Sequence, residues 1–578
     1  MRIDDFKTRS ISTQHKFFTF IFLSIFLLLI SSNAYSQYNQ FGYPFKRNYS
    51  YKEYLAPGAN VAMAMNSKGV MYFANASKGV IEYDGVSWRH IAIANNSQCK
   101  SLAVDSNDIV FVGSVGEIGY IAPDKLGNSS YYSLTNLVDT SKVRFTNVWK
   151  TYATPNGVYF CAFSHIFHFQ FPNKLVAIEL PNEAFYSFSI DNKIVNGYYK
   201  QGSLELIDNK MVQMQGVDPL IDQDIIQVFP FCVNEWLIIT YKGLFSYNTA
   251  QKKVTVLNEQ SIHKKTSSIL SRSSVYNGCV IPQKGFAIAT LDNGVFLSDT
   301  KANITENYNS TTGMQSSTVS DLLYNQNQGV LWATLDNGIT RFEYNSPFRM
   351  FGKESNLNGT VLSVLRHNDV LYVGTFTGLS YLDYNENGIP WFKEIDELKG
   401  KFVYSLVSVP LRIGGAKMIA ATSDDFFEIR GSRAYPLYVQ GATAFSAYVS
   451  KLNEGTFYVG CSKGIYRVKW AGGKWNAAAI PESGKEIYSL FEDKLGNIWA
   501  STAIDGVLKI SSSNDITTYT TKDGLPSNSD LRVYYLETSN KVIVTSRSGL
   551  YEYSIESNSF KPSSILNFPN NPNGKIIN

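Results

Sequence analysis

Apolar and polar positions alternate with a period of two in short runs along most of the chain, and Asp, Asn and Gly separate the runs. Residues 487–510, IYSLFEDKLGNIWASTAIDGVLKI, show the unit. Ile487, Ser489 and Phe491 alternate with Tyr488, Leu490 and Glu492, and a turn follows at Asp493-Lys494-Leu495-Gly496-Asn497. A short, largely apolar strand comes next, Ile498-Trp499-Ala500-Ser501-Thr502; a second turn holds Asp505-Gly506, and a third strand covers 507–510. Period-two alternation punctuated by turn residues predicts an antiparallel β-meander.

The unit recurs. First strands begin near residues 61, 101, 145, 185, 225, 275, 319, 361, 402, 447, 487 and 531, a spacing of about 43 residues. Each repeat has three readable strands, and a weaker fourth often follows, as at 515–520. Four strands in about 40–45 residues make one blade of a β-propeller. The expected fold is therefore all-β, with tandem propellers of four-stranded blades. Seven units precede Pro347 and five clear units follow, then a stub at 560–578. The break at 344–351 favours seven blades and then an incomplete or five-bladed second propeller, over two six-bladed domains. The expected segments are 1–36, 37–346 and 347–578.

Repetition also sorts residues. Gly113, Gly374 and Gly460 recur at the end of second strands. Gly243, Gly294, Gly338, Gly378, Gly464, Gly506 and Gly549 recur before third strands. Glycine there is expected to allow a positive φ in a tight turn. Trp332 and Trp499 occupy one place in their units, where a large ring can fill the wedge between blades. A residue needed in many blades is scaffold rather than catalyst.

Composition supports this picture. Of 578 residues, 14% are aromatic and 44% hydrophobic, enough for a sizeable core and too many residues for a single one. The N-terminus changes the address. Arg2, Lys7, Arg9 and Lys16 precede an apolar run at 17–30, and Ala34-Tyr35-Ser36 offers small residues before Gln37. That order is a secretory signal peptide, 1–36, with an uncleaved anchor as the alternative. No Cys stands near the cut for a lipid anchor, and no later stretch is apolar enough to span a bilayer. Without 1–36 the formal charge falls from +4 to +2, which gives no nucleic-acid footprint. The five Cys (Cys99, Cys161, Cys232, Cys279, Cys461) are irregularly spaced. They read as buried thiols, with a single disulfide as the alternative.

Candidate chemistry is sparse. His165 and His168 form H-x-x-H on a strand, a spacing that puts them on opposite faces. His90, His263 and His367 lack partners at ligand spacing. Asp292-Asn293-Gly294 and Asp336-Asn337-Gly338 repeat in one turn and read as turn formers. Asp424-Asp425 is a candidate for a cation or a sugar hydroxyl. Trp149, Trp236, Trp391 and Trp475 are candidate loop aromatics, with Trp391 and Trp475 placed at loop tips. No phosphate-binding loop or nucleophile elbow is present. No catalytic residue, metal ligand or cofactor is expected, and no ligand-binding residue can be ranked.

The motif D-x-x-G-N-I-W-x-[GS]-T-x-x-x-G-[LV], here from Asp493 through Gly496, Trp499 and Gly506 to Val507, resembles the two-component regulator propeller repeat. So do residues 48–88, 113–127, 313–319 and 523–528. The resemblance implies the periplasmic sensor region of hybrid two-component and triple-tyrosine regulators of Bacteroidetes. Such proteins carry two seven-bladed propellers, a β-sandwich, a membrane helix and an output module. Only five clear units follow Pro347, with no sandwich, membrane helix or output segment after them, so the resemblance implies a second propeller about two blades short. The implied function is non-enzymatic ligand sensing in the periplasm, with a glycan fragment or other small ligand held at one end of a propeller or between two. A homodimer or a partner signalling chain would carry the signal. The alternatives are a secreted propeller glycosidase or lyase, and a free-standing scaffold or adhesion protein.

Overall fold

The structure is a computed structural model that describes residues 42–565 apart from 140, 185, 199–201, 258–262, 386–388 and 438–440. Residues 1–36, expected to be a signal peptide, lie outside the described residues, as does most of the C-terminal stub.

Alternating residues make sheets, and the sheets are blades. Among the described residues there are twelve four-stranded antiparallel sheets, eleven of them with their strands in meander order. The chain divides into two compact units, and Tyr43–Met350 forms one of them. It holds blades 1 (60–91), 2 (99–133), 3 (148–179), 4 (187–213), 5 (225–256), 6 (275–308) and 7. Blade 7 takes three strands from 319–342 and its fourth from Lys46–Ser50. Lys46 pairs with Phe342 and Ser50 with Gly338. Early and late segments thus share one sheet, which closes the ring and leaves no open blade edge there.

The core lies between blades. Where blades 7 and 1 meet, Tyr49, Trp332 and Ile339 pack with Met63, Phe73 and Ile81. Phe229 and Leu237 of blade 5 likewise meet Val275, Phe286 and Ile288 of blade 6. Trp332 is buried in its wedge, and its ring stacks on Tyr49 at 5.8 Å.

The second unit carries blades 8 (361–394), 9 (403–436), 10 (444–479), 11 (487–519) and 12 (532–562). Successive inner strands pack in order, but among the described residues blade 12 makes no such packing with blade 8. Val361 and Val364, on the inner strand of blade 8, are 45% and 57% exposed.

The glycines divide by cause. Gly506 has φ +82, as the turn reading expects, and a Cβ there would lie 2.1 Å from Tyr519 O. Gly113 is different. It has no positive φ, and a Cβ would lie 2.4 Å from Ser101 Oγ and 2.6 Å from Val148 Cγ1. Glycine is needed at 113 because the next blade comes so close.

Candidate functional site: the central channel of the first propeller

A register shift interrupts the inner strand of most blades at its second residue. The extra residue bends the strand and re-aims the side chains beyond it. In blades 8 to 11 and in blade 2 the next position is serine: Ser363, Ser405, Ser446, Ser489 and Ser101. Serine there can tie one blade to the next. Ser101 Oγ donates to Val148 O at 2.8 Å, and Ser489 Oγ accepts from Val533 N at 2.9 Å. In four other blades of the first propeller the same position holds Lys150, Gln227, Asn277 and Asp321.

These residues line a cavity of ≈ 610 Å³ along the propeller axis, with Trp149, Tyr152, Tyr276 and Ser189 also in its wall. The volume is that of a small-molecule site. Much of the polar wall is already engaged. Asp321 Oδ2 accepts from Met63 N at 2.8 Å, and its Oδ1 accepts from Asn277 Nδ2 at 2.7 Å and Leu322 N at 3.0 Å. Gln227 Nε2 donates to Gly278 O at 2.9 Å, and Tyr152 OH donates to Ser187 O at 2.6 Å. Lys100 Nζ donates to Gln98 Oε1 at 3.0 Å and lies over the Trp149 ring.

Enclosure shapes the electrostatics. Burial pulls the Lys150 ammonium below the usual lysine range, against the opposing field of the Asp321 carboxylate. Burial pushes Asp321 up, and Lys150 and the donated N–H groups hold it back. Burial also raises the Cys279 thiol, in the same wall, and takes Cys161 to about 12, so neither is a ready thiolate.

No family model matches the chain, and no curated protein matches it by sequence. Among solved structures it is similar to the extracellular domain of BT3049, described as a proposed hybrid two component system of B. thetaiotaomicron. The identity is 16% over 91% of this chain and 74% of that chain, with a TM-score of 0.66. The extracellular domain of BT4673, described as a proposed one component system of the same organism, is 17% identical over 92% of this chain and 74% of that chain, with a TM-score of 0.40. The chain shares the fold of the BT3049 extracellular domain.

The candidates singled out in the sequence do not converge on the channel, Trp149 excepted. His168 accounts for both ring nitrogens, with Asn209 Oδ1 at 3.0 Å and Asn156 O at 2.9 Å, while His165 meets Ser164. His90 contacts Tyr54 O at 2.6 Å, and His367 meets Ser408 Oγ at 2.9 Å. Asp292 accepts from Ser274 N and Oγ, 18 residues earlier in the chain, and Asp336 is exposed. Asp424 pairs with Lys401. Trp236 is buried and donates to Asp191 Oδ2 at 2.7 Å. Trp391 and Trp475 are not at loop tips: they sit on the outer strands Pro390–Glu394 and Lys474–Ala479, where the pairing of blades 8 and 10 continues. Trp475 Nε1 donates to Glu428 Oε2 at 3.0 Å. Among the described residues no three His, Cys, Asp or Glu side chains gather as metal ligands, and no helix is long and apolar enough to cross a membrane.

The channel residues had a faint signal in the sequence. Each departs from the Ser or Ala of its repeat position, but a strand shift of one residue hides that alignment. The second unit holds a further pattern of this kind. Tyr404, Phe445 and Tyr488 stand at the shifted positions of blades 9 to 11, with centroids 5.4 and 5.0 Å apart. Phe402 and Phe376 extend the row at one end, and the Arg532 guanidinium lies 5.0 Å over Tyr488 at the other.

Proposed function

We propose that this chain is the extracytoplasmic, ligand-binding sensor module of a two-component-type regulator, with no catalytic chemistry of its own. One observation carries the reading: the channel wall of the first propeller differs from blade to blade at a position where serine or alanine serves elsewhere. Gln227, Asn277 and Asp321 also tie one blade to the next, a job that serine does elsewhere, so blade geometry alone does not call for these larger groups or for Lys150, whereas recognition of an asymmetric small molecule does. The shared fold with a sensor-region structure and the N-terminal secretory signal support a periplasmic setting. The ligand would be a glycan fragment or another small molecule. Its differential affinity for two states of a homodimer, or of a complex with a signalling chain, would supply the signal.

Thermal-shift and calorimetric titration of the full chain with a panel of neutral and acidic oligosaccharides tests the reading. Ser189 is exposed within the channel wall, so Ser189→Trp would fill the lumen without opening the core. The expected result is a ligand that raises the melting temperature of the natural chain and fails to bind Ser189→Trp, which itself melts normally. Undiminished binding to Ser189→Trp would place the site elsewhere.

A further inference from the structure

Two lysines line the channel, and they differ. Lys100 is held by Gln98 and by the Trp149 ring. Lys150 is half-buried and has no hydrogen-bond or ion-pair partner among the described residues. Its largest compensation is the field of Asp321. That carboxylate is itself fully engaged by Met63, Asn277 and Leu322 and makes no ion pair with Lys150. An enclosed ammonium without an acceptor is costly, and an acceptor that arrives with a ligand removes that cost. Cys161 pairs with Lys150 on the neighbouring strand, Tyr152 lies two residues along the same strand, and Tyr276 and Cys279 of blade 6 share the channel wall; all four are raised by burial and so uncharged.

We infer that the channel takes a small organic anion with a single carboxylate on a ring, the carboxylate pairing with the Lys150 ammonium and the ring lying among Trp149, Tyr152 and Tyr276. The inference rests on the channel being the ligand site. One negative charge suits the lumen because Asp321 faces it too. A second negative charge on the ligand would meet that carboxylate in a poorly screened space. The three rings supply apolar and quadrupolar surface for the body of the ligand. A cavity of ≈ 610 Å³ admits a ring of either kind, aromatic or sugar.

The test is calorimetric titration of the full chain with galacturonate and with 4-hydroxybenzoate. Each is set beside its neutral counterpart, galactose or 4-hydroxybenzyl alcohol, and beside inorganic phosphate as a multiply charged anion. At least one carboxylate should bind about tenfold or more tightly than its neutral counterpart, and more tightly than phosphate. Which ring is preferred identifies the body of the ligand. Lys150→Met should lower that affinity about tenfold or more, and Lys150→Arg should restore part of it; Lys150→Gln serves if the methionine variant does not fold. Equal binding of the neutral counterpart, or indifference to Lys150→Met, overturns the anion inference. The channel reading stands in that case if Ser189→Trp still abolishes binding. Carboxylate binding that survives Ser189→Trp overturns both. Failure of both carboxylates to bind at roughly 10 mM overturns the anion inference, and a neutral oligosaccharide that Ser189→Trp excludes would then keep the channel reading.

Discussion

Asp321 Oδ2 accepts the backbone N–H of Met63 at 2.8 Å, a bond between residues 258 apart in sequence. It ties blade 7 to blade 1 where the ring closes. The same contact joins blades 11 and 12, where Ser489 accepts from Val533 N at 2.9 Å. Asp321→Ala removes three accepted bonds and strands the donors of Met63 and Asn277 inside the channel wall. The expected loss is about 2–4 kcal/mol, read by urea unfolding of the full chain. Asp321→Asn keeps one carbonyl acceptor and should lose less.

Two tryptophans at one repeat position should respond differently. Trp499 donates Nε1 to Asp493 Oδ2 at 2.8 Å and packs its ring at 4.8 Å from Tyr553. Trp332 is similarly buried, but its Nε1 has no hydrogen-bond partner among the described residues. Phenylalanine loses indole volume at both sites but a hydrogen bond only at 499. Trp499→Phe should therefore cost about 1–2 kcal/mol more than Trp332→Phe in denaturant melts.

Glu428 should contribute to the acid sensitivity of the second unit. The carboxylate is buried, which alone would raise its pKa. Bonds from Arg430, Lys417 and Trp475 outweigh that and bring it from 4.5 to about 2. A depressed folded-state pKa gives stability that is fully present above 4.5 and lost as pH falls toward 2. The contribution is on the order of 2–3 kcal/mol. Glu428→Gln should flatten that part of the stability-against-pH curve, measured by urea unfolding between those two values. An unchanged slope would remove Glu428 from the account.

Gly506 and Gly69 separate strain from collision. Both have φ near +80, but a Cβ on Gly506 meets Tyr519 O at 2.1 Å, whereas one on Gly69 meets nothing within 4 Å. Gly69→Ala should cost about 1–2 kcal/mol, from the left-handed conformation alone. Gly506→Ala adds displacement of a strand and should cost clearly more, seen as a larger fall in melting temperature.

Phe445 stands between Tyr404 and Tyr488, edge-on to the latter. Phe445→Ala removes two ring contacts and should destabilise the second unit by about 1–3 kcal/mol in the same assay. Phe445→Leu should recover the buried area but not the ring geometry.

The sequence alone determined the blades. Period-two alternation, Asp-Gly turns and the recurring Trp act within some 40 residues, so each repeat carries its own instructions. Asp493, Gly496, Trp499 and Gly506 are scaffold in the structure, as their repetition implied. Tertiary structure decided what lies between blades. Lys46–Ser50 joins Gly338–Phe342, and Asn48 accepts from Thr340 Oγ1 across 292 residues, which no local pattern announces. Trp391 and Trp475 looked like loop residues because Pro and Gly precede them, yet strand pairing continues through both. Lys150 became a candidate only when the inner strands converged on one channel and left its ammonium without an acceptor among the described residues. The physical reason is the same in each case. A strand's own residues set its pleat and turns, but the partner of a buried charge or of an open edge is chosen by distant chain brought near through folding.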